Sequence, residues 1–234
     1  MKKSLLIIAL IVIAVGTLNI YLGPGPENTQ ERVKNNLPWQ IEITPEGNTR
    51  VFEVEVGKTT VEAATKHWRV HPEIALFKQP DGSLRLESYL GKITLPPFDA
   101  RIILKLDADQ ATLEQFEANS TSIDPTPSGS YQLRLSGNDF EKALQMPIRE
   151  LSYSPAVDTD TPMLAKRFDK PDNIIQIDEN SSYWLYPQRG LVMLINNEDK
   201  EVFHYFPPRD YEDVINSIEL LKQNKAELPE ADGQ

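Results

Sequence analysis

The run Leu5 to Leu22 constrains this chain most, because it is apolar except at Gly16, Thr17 and Asn19. At a helical rise of 1.5 Å, about 18–20 such residues nearly span a hydrocarbon core of ~30 Å. Such a segment either stays as a transmembrane helix or is removed as a signal peptide. Lys2 and Lys3 precede it, and the positive-inside rule then places everything after Leu22 outside the cytoplasm. Ala14 and Gly16 are the small residues a cleavage site would use. Leu18, Ile20, Tyr21 and Leu22 continue past them, with Tyr21 at interfacial height, which favours an uncleaved anchor over residues 1–22. Ala9, Ala14 and Gly16 would also let a neighbouring span approach closely. The expected location is the inner membrane, single-pass, with the C-terminal domain in the periplasm.

Gly23-Pro24-Gly25-Pro26 ends the helix, since Pro lacks the N–H and Gly carries no helical bias. Residues 23–36 read as a linker. The 234 residues suffice for one large or two small domains. With Lys2 and Lys3 set aside, 22 basic residues face 35 acidic ones, a charge of −13 on the exported part. That balance excludes a nucleic-acid partner, which needs Lys and Arg to neutralise phosphates, and surface attraction to anionic lipid. The absence of Cys excludes a disulfide scaffold, a thiolate metal site, a Cys nucleophile and a lipid-modified N-terminal Cys.

Beyond the linker, strand and helix signals alternate. Trp39–Ile43 and Arg50–Val56 read as strands around a Pro45-Glu46-Gly47-Asn48 turn. Thr59-x-x-Glu62 has the form of a capping box for a helix ending near Trp68, with Val61, Ala64, Thr65 and Trp68 on one face. Strands at 73–79, 84–90 and 100–106 and a helix at 109–118 follow. Asn119 to Gly129, rich in Ser, Thr and Pro, reads as an interdomain loop. Tyr131–Leu135 is then a strand and Asp139–Gln145 a short helix. Ile148–Tyr153 is a strand, and Asp160-Thr161-Pro162 opens a helix ending near Phe168. Strand signals recur at 174–177, 183–186, 191–195 and 201–206, before an amphipathic helix at 210–222.

The order thus occurs twice. Trp68 and Phe168 are 100 residues apart, while Pro72 and Pro171, Leu86 and Leu185, and Gly91 and Gly190 are each 99 apart. Helix ends and turns at one offset indicate an internal duplication. The expected fold class is α+β: two tandem helix-plus-antiparallel-sheet repeats, residues 37–122 and 130–222, after the transmembrane helix. An acidic tail, 223–234, closes the chain.

In the second repeat, Ala165-Lys166-Arg167-Phe168-Asp169-Lys170-Pro171, Tyr183-Trp184-Leu185-Tyr186-Pro187, Gly190-Leu191 and Asp199-Lys200-Glu201-Val202 carry a family resemblance. These residues resemble the SmpA/OmlA-like fold, found in a small lipoprotein of the β-barrel assembly machinery and, duplicated, in β-lactamase inhibitor protein. The resemblance covers about 148–208, with a weaker echo at 50–106. Asp169 stands where the family has Gly, and the lipobox is missing. The chain is also similar to proteobacterial envelope proteins that share Leu37-Pro38-Trp39 and Pro208-Arg209-Asp210. The resemblance implies a helix packed on one face of an antiparallel sheet, and binding more than catalysis.

No G-x-S-x-G elbow, Walker loop, G-x-G-x-x-G after a strand or H-E-x-x-H occurs. His67 and His71 have a metal-binding helical spacing, but Pro72 disfavours helix at His71, so solvated surface histidines are expected. Asp107/Asp109 and Asp158/Asp160 precede helices and read as caps before they read as calcium ligands. No catalytic residue, metal or cofactor is expected.

The aromatic strands say more. Alternation puts Tyr183 and Leu185 on one face and Trp184 and Tyr186 on the other, and it sets Val202, His204 and Phe206 against Phe203 and Tyr205. Leu185 and Leu194 are expected to be buried. The second aromatic face either fills a core between repeats or docks a partner. Trp184, Tyr186 and Arg209 are the candidate partner-binding residues, being the types that dominate hot spots. For Arg209 the plainer alternative is a pair with Asp210, Glu212 or Asp213. The expectation is therefore a non-catalytic binding, assembly or accessory subunit that engages envelope or inner-membrane proteins. The rival is an envelope hydrolase whose site no motif marks.

Overall fold

Positive backbone φ at Phe52 (52°) and Glu53 (64°) folds the chain back on itself between β2 (Thr49–Val51) and β3 (Val54–Glu55). β1 (Glu42–Ile43) joins them in a small three-stranded sheet. Left-handed backbone is costly for a residue as bulky as Phe and persists only where packing over-determines it. Here Phe52 is 1% exposed, and its carbonyl accepts from Trp68 Nε1 at 3.2 Å. The computed structural model describes residues 37–227 except 96–97, 158, 160 and 197. The anchor, the linker, the Asp158/Asp160 pair and the tail from 228 therefore lie outside the described residues. Among the described residues, no helix is long and apolar enough to cross a membrane.

The chain continues through α1 (Val61–Trp68), β4 (Glu73–Lys78), β5 (Leu84–Leu95), β6 (Phe98–Leu106) and α2 (Gln110–Ala118). Next come β7 (Ser122–Pro125), β8 (Tyr131–Arg134), α3 (Gly137–Leu144), β9 (Ile148–Pro155) and α4 (Thr161–Phe168). It ends with β10 (Asn173–Gln176), β11 (Ser181–Tyr186), β12 (Leu191–Asn196), β13 (Val202–Tyr205) and α5 (Tyr211–Glu227). β4 to β13 build one ten-stranded sheet in the order β10-β11-β12-β13-β9-β6-β5-β4-β8-β7. Every pairing in it is antiparallel, so the fold is mixed α/β around a large antiparallel sheet.

Local chemistry explains most boundaries. Gly47 (φ 78°) and Gly82 (φ 84°) make the two tight turns expected from sequence. Thr60, not Thr59, caps α1 by accepting from the Ala63 N–H at 3.3 Å. Thr59 Oγ1 instead accepts from the Glu55 N–H at 3.0 Å, so the capping frame sits one residue later than the Thr59-x-x-Glu62 pattern implies. Asp109 caps α2 by accepting from the Thr112 N–H at 2.8 Å. Gly190 (φ 56°) tolerates no side chain, because a Cβ there would collide with the Phe206 carbonyl oxygen and Thr49 Oγ1.

The 119–129 stretch is not an interdomain loop. Ser122–Pro125 forms β7, paired with β8 at the sheet's edge, where Pro is tolerated because one side of the strand needs no donor. β8 in turn pairs with β4, so residues 131–134 belong beside the first half of the sheet. β6 and β9 join the halves in one ladder. Trp68 and Phe168 each end a helix at a left-handed residue, Arg69 (φ 58°) and Asp169 (φ 63°). Leu86 and Leu185 are not equivalent, however, because they pack into different clusters on opposite faces. A one-residue slip along a strand reverses the face of every side chain.

One face of the sheet, covered by α1 to α4 and the small sheet, holds the main core. Phe52, Tyr153, Phe203, Tyr205, Phe168 and Tyr186 form a continuous aromatic layer there. On the second face a smaller cluster of Leu185, Val192 and Phe206 packs under Ile218 of α5. Leu194, expected to be buried, is only partly so. Because Trp184 and Leu185 are both buried, truncating either to Ala should cost about 2–5 kcal/mol by urea unfolding. A much smaller loss for Trp184→Ala would mean that its face is open.

Candidate functional site

The sequence-predicted binding residues do not come together on a surface. Trp184 is 8% exposed and Tyr186 2%, both inside the aromatic core. The Tyr186 hydroxyl donates to the Asp169 carbonyl at 3.0 Å, and Arg189 stacks 5.8 Å from its ring centre. Alternation does put the two on one face, but α4 seals that face, with the Phe168 ring 6.3 Å from Tyr186. Arg209 lies elsewhere. Its Nη1 donates to Asn48 Oδ1 at 2.7 Å, and its closest approach to Asp210 is 4.0 Å. Asn48 also donates to the buried Glu55 at 2.9 Å, and this hydrogen bond leads the effects that hold the Glu55 carboxyl below its ordinary value. Arg209 is thus a clasp between the small sheet and the segment entering α5. His67 and His71 do not share a helical face, since α1 ends at Trp68, and His67 Nε2 lies 3.1 Å from Glu53.

The second face carries the more suggestive surface. Where α5 crosses it, a cleft of about 430 Å³ opens between helix and sheet. Arg149 ties the helix down, with Nε 3.4 Å from Asp210 and Nη2 3.0 Å from Asp213. On the floor, β5, β6 and β9 set Glu87 opposite Lys105 and Lys105 opposite Glu150. Glu150 Oε1 lies 3.0 Å from His204 Nδ1, and Ser152 Oγ lies 2.9 Å from the same nitrogen. A serine relay needs the hydroxyl on one imidazole nitrogen and the carboxylate on the other. This cluster does not have that geometry.

The carboxyls on this floor diverge. Burial pushes Glu87 up, and the charge of Glu150 adds to the effect against Arg85 and Lys105. Burial also pushes on Glu150, but the His204 hydrogen bond and the charges of His204, Lys105 and Arg85 outweigh it and hold that carboxyl low.

Past the cleft, no described element covers the second face. Tyr89 (43% exposed) and Ile103 (40%) sit opposite each other there. Arg101 and Arg134 project from β6 and β8 on the same face and are exposed, as is Arg85 of β5, which lines the cleft itself. Among the described residues none of the three has a carboxylate within 4.0 Å, whereas Lys92 and Lys105 do. Sequence reasoning passes over this patch because single arginines on alternating strands form no motif. The cross-strand register that gathers them depends on the β4–β8 pairing.

No protein-family model matches the chain, and no curated protein or solved structure matches it either.

A carboxyl held low in the folded state contributes stability above its unfolded pKa, and that contribution is lost as pH falls through the folded value. Glu150→Gln should therefore cost about 1.5–3 kcal/mol at neutral pH, the scale of a hydrogen bond to a charged group. The gap to the parent should close below about pH 4, near the ordinary Glu value. Urea unfolding at a series of pH values measures both.

Proposed function

We propose that this protein is a non-catalytic binding or assembly subunit of the cell envelope, whose docking surface is the uncovered part of the second sheet face. The observation that carries the reading is the patch of Tyr89 and Ile103 set beside Arg101 and Arg134. Tyr89 and Ile103 stand exposed side by side with Arg101 and Arg134 on the same face and Glu73 opposite Tyr89, so the patch joins aromatic, aliphatic and charged groups and favours a partner surface of mixed character. Tyr and Arg are the interface types that bury large area or form several hydrogen bonds at little entropic cost.

The resemblance to SmpA/OmlA-like proteins supports binding over chemistry. An internal duplication fits the two runs of helix followed by antiparallel strands, α1–β4–β5–β6 and α4–β10–β11–β12–β13, with left-handed residues at matched helix ends. In this reading the Leu5–Leu22 segment anchors the domain outside the inner membrane, next to its partner. The rival, an envelope hydrolase, would have to work through Ser152, His204 and Glu150, whose hydroxyl and carboxylate compete for one nitrogen.

Replacing Tyr89 and Ile103 together by Ser should weaken partner capture from crosslinked membranes more than tenfold, the loss of about 2 kcal/mol typical of a hot spot. The melting temperature should barely move, as for other surface changes. Undiminished capture would refute the docking surface. For topology, a reporter fused after Gln234 should be active only outside the cytoplasm, and cytoplasmic activity would overturn the envelope assignment.

A further inference from the structure

Among the described residues the ten-stranded sheet is open, so β7 and β10 each present one unpaired side. Unprotected edges invite pairing with another chain, and proteins ordinarily blunt them with charge, proline or a covering element. β7 is blunted, since Ser122-Ile123-Asp124-Pro125 carries both a carboxylate and a proline. β10 is not. Asn173-Ile174-Ile175-Gln176 has no charge and no proline, and Ile174 is 50% exposed.

The hydrogen-bond register of β10 fixes what the edge offers. The Ile177 N–H donates to the Ser181 carbonyl at 3.0 Å, so odd-numbered residues turn toward β11. Ile174 and Gln176 therefore direct their backbone groups outward. The Ile174 N–H is met there by Asn173 Oδ1 at 2.9 Å, a local bond that an incoming carbonyl can replace. Ile174 lies opposite Trp184, on the side of the main core, and offers an apolar contact beside the outward-facing backbone.

Charge decides the occupant. Asp172 precedes the strand, and Asp178 and Glu179 follow it, with Lys170 farther out. A second copy pairing antiparallel sets Asp172 opposite Asp178 when Ile174 faces Gln176, and Lys170 opposite Asp178 when Ile174 faces Ile174. In either register it brings the same excess of carboxylates, Asp172, Asp178 and Glu179 against Lys170, to both ends of the edge. Asp178 Oδ1 already accepts from the Asn180 and Ser181 N–H groups, so a segment with basic ends meets Asp172 at one end and Glu179 at the other. We propose that β10 is a docking edge that takes, as an eleventh strand, an extended segment of another protein with an alternating β-branched centre flanked by Lys or Arg. This surface is separate from the arginine patch, and the two proposals fail independently.

The test uses the full chain in detergent and fluorescein-labelled six-residue peptides, read by anisotropy. Lys-Thr-Val-Thr-Val-Lys should bind, and the same centre flanked by Glu should bind about tenfold more weakly from cross-strand charge alone. N-methylation of the peptide on the side that faces β10 should abolish binding. Ile174→Pro, which removes an outward donor at a position not bonded to β11, should also abolish it without changing the melting temperature. If that variant does not fold, the N-methylated peptide still decides. Equal affinity for the two flanking charges, binding by the N-methylated peptide, or no binding by the Lys-flanked peptide would overturn the proposal. So would a dimer in sedimentation that Ile174→Pro dissolves.

Discussion

Phe52 lies against Tyr153 with ring centres 4.9 Å apart, and Tyr153 lies against Phe203 at 5.7 Å. From there the contacts run to Phe168 and on to Trp39 at 6.2 Å. This layer joins the small sheet, β9, β13 and α4, which are far apart in sequence, so the remaining elements take their places around it. Aromatic side chains bury large areas and gain further from offset and edge-on contacts. The layer also holds the left-handed Phe52 backbone, whose strain an exposed turn would relax. Leu37-Pro38-Trp39 closes it from outside, with the Pro38 carbonyl accepting from the buried Tyr205 hydroxyl at 2.8 Å and Arg167 stacked 4.9 Å from the Trp39 ring centre.

Sealing one face so completely defines the other. α5 packs on the second face over Leu185, Val192 and Phe206 and borders the cleft above Glu150 and His204, held there by the Arg149 pairs to Asp210 and Asp213. The rest of that face is polar enough to stand in water, yet it leaves Tyr89 and Ile103 exposed. Beneath α5, Glu150 lies within ion-pair distance of Lys105 and beside His204, and Arg85 adds its charge to the same group, while Arg101 and Arg134 farther along have no carboxylate within 4.0 Å among the described residues.

Much of the element order was legible in the sequence. Period-2 alternation placed Trp184 and Tyr186 on one face and Leu185 on the other, and the Pro45–Asn48 and Pro80–Ser83 turns fall where Gly47 and Gly82 demand them. Alternation cannot say which face a helix will cover, so the Trp184/Tyr186 face was equally consistent with a core and a docking surface. The 119–129 stretch misled for a related reason: Pro125 argues against a central strand but not against an edge one. Arg209 was invisible as a clasp because Asn48, its partner, is 161 residues away. The arginine patch was hidden in the same way, since it exists only once β8 has paired with β4.

The central claim is that the sheet's two faces divide the work, one sealed as core and the other left open for a partner. Site-specific photo-crosslinking in intact cells tests it most directly, with benzoylphenylalanine at Ile103 on the open face and, as a matched exposed control, at Glu114 on α2 over the sealed face. A discrete adduct from position 103 and none from position 114 is the expected outcome. Adducts from 114 alone, from both positions equally, or from neither would contradict the assignment.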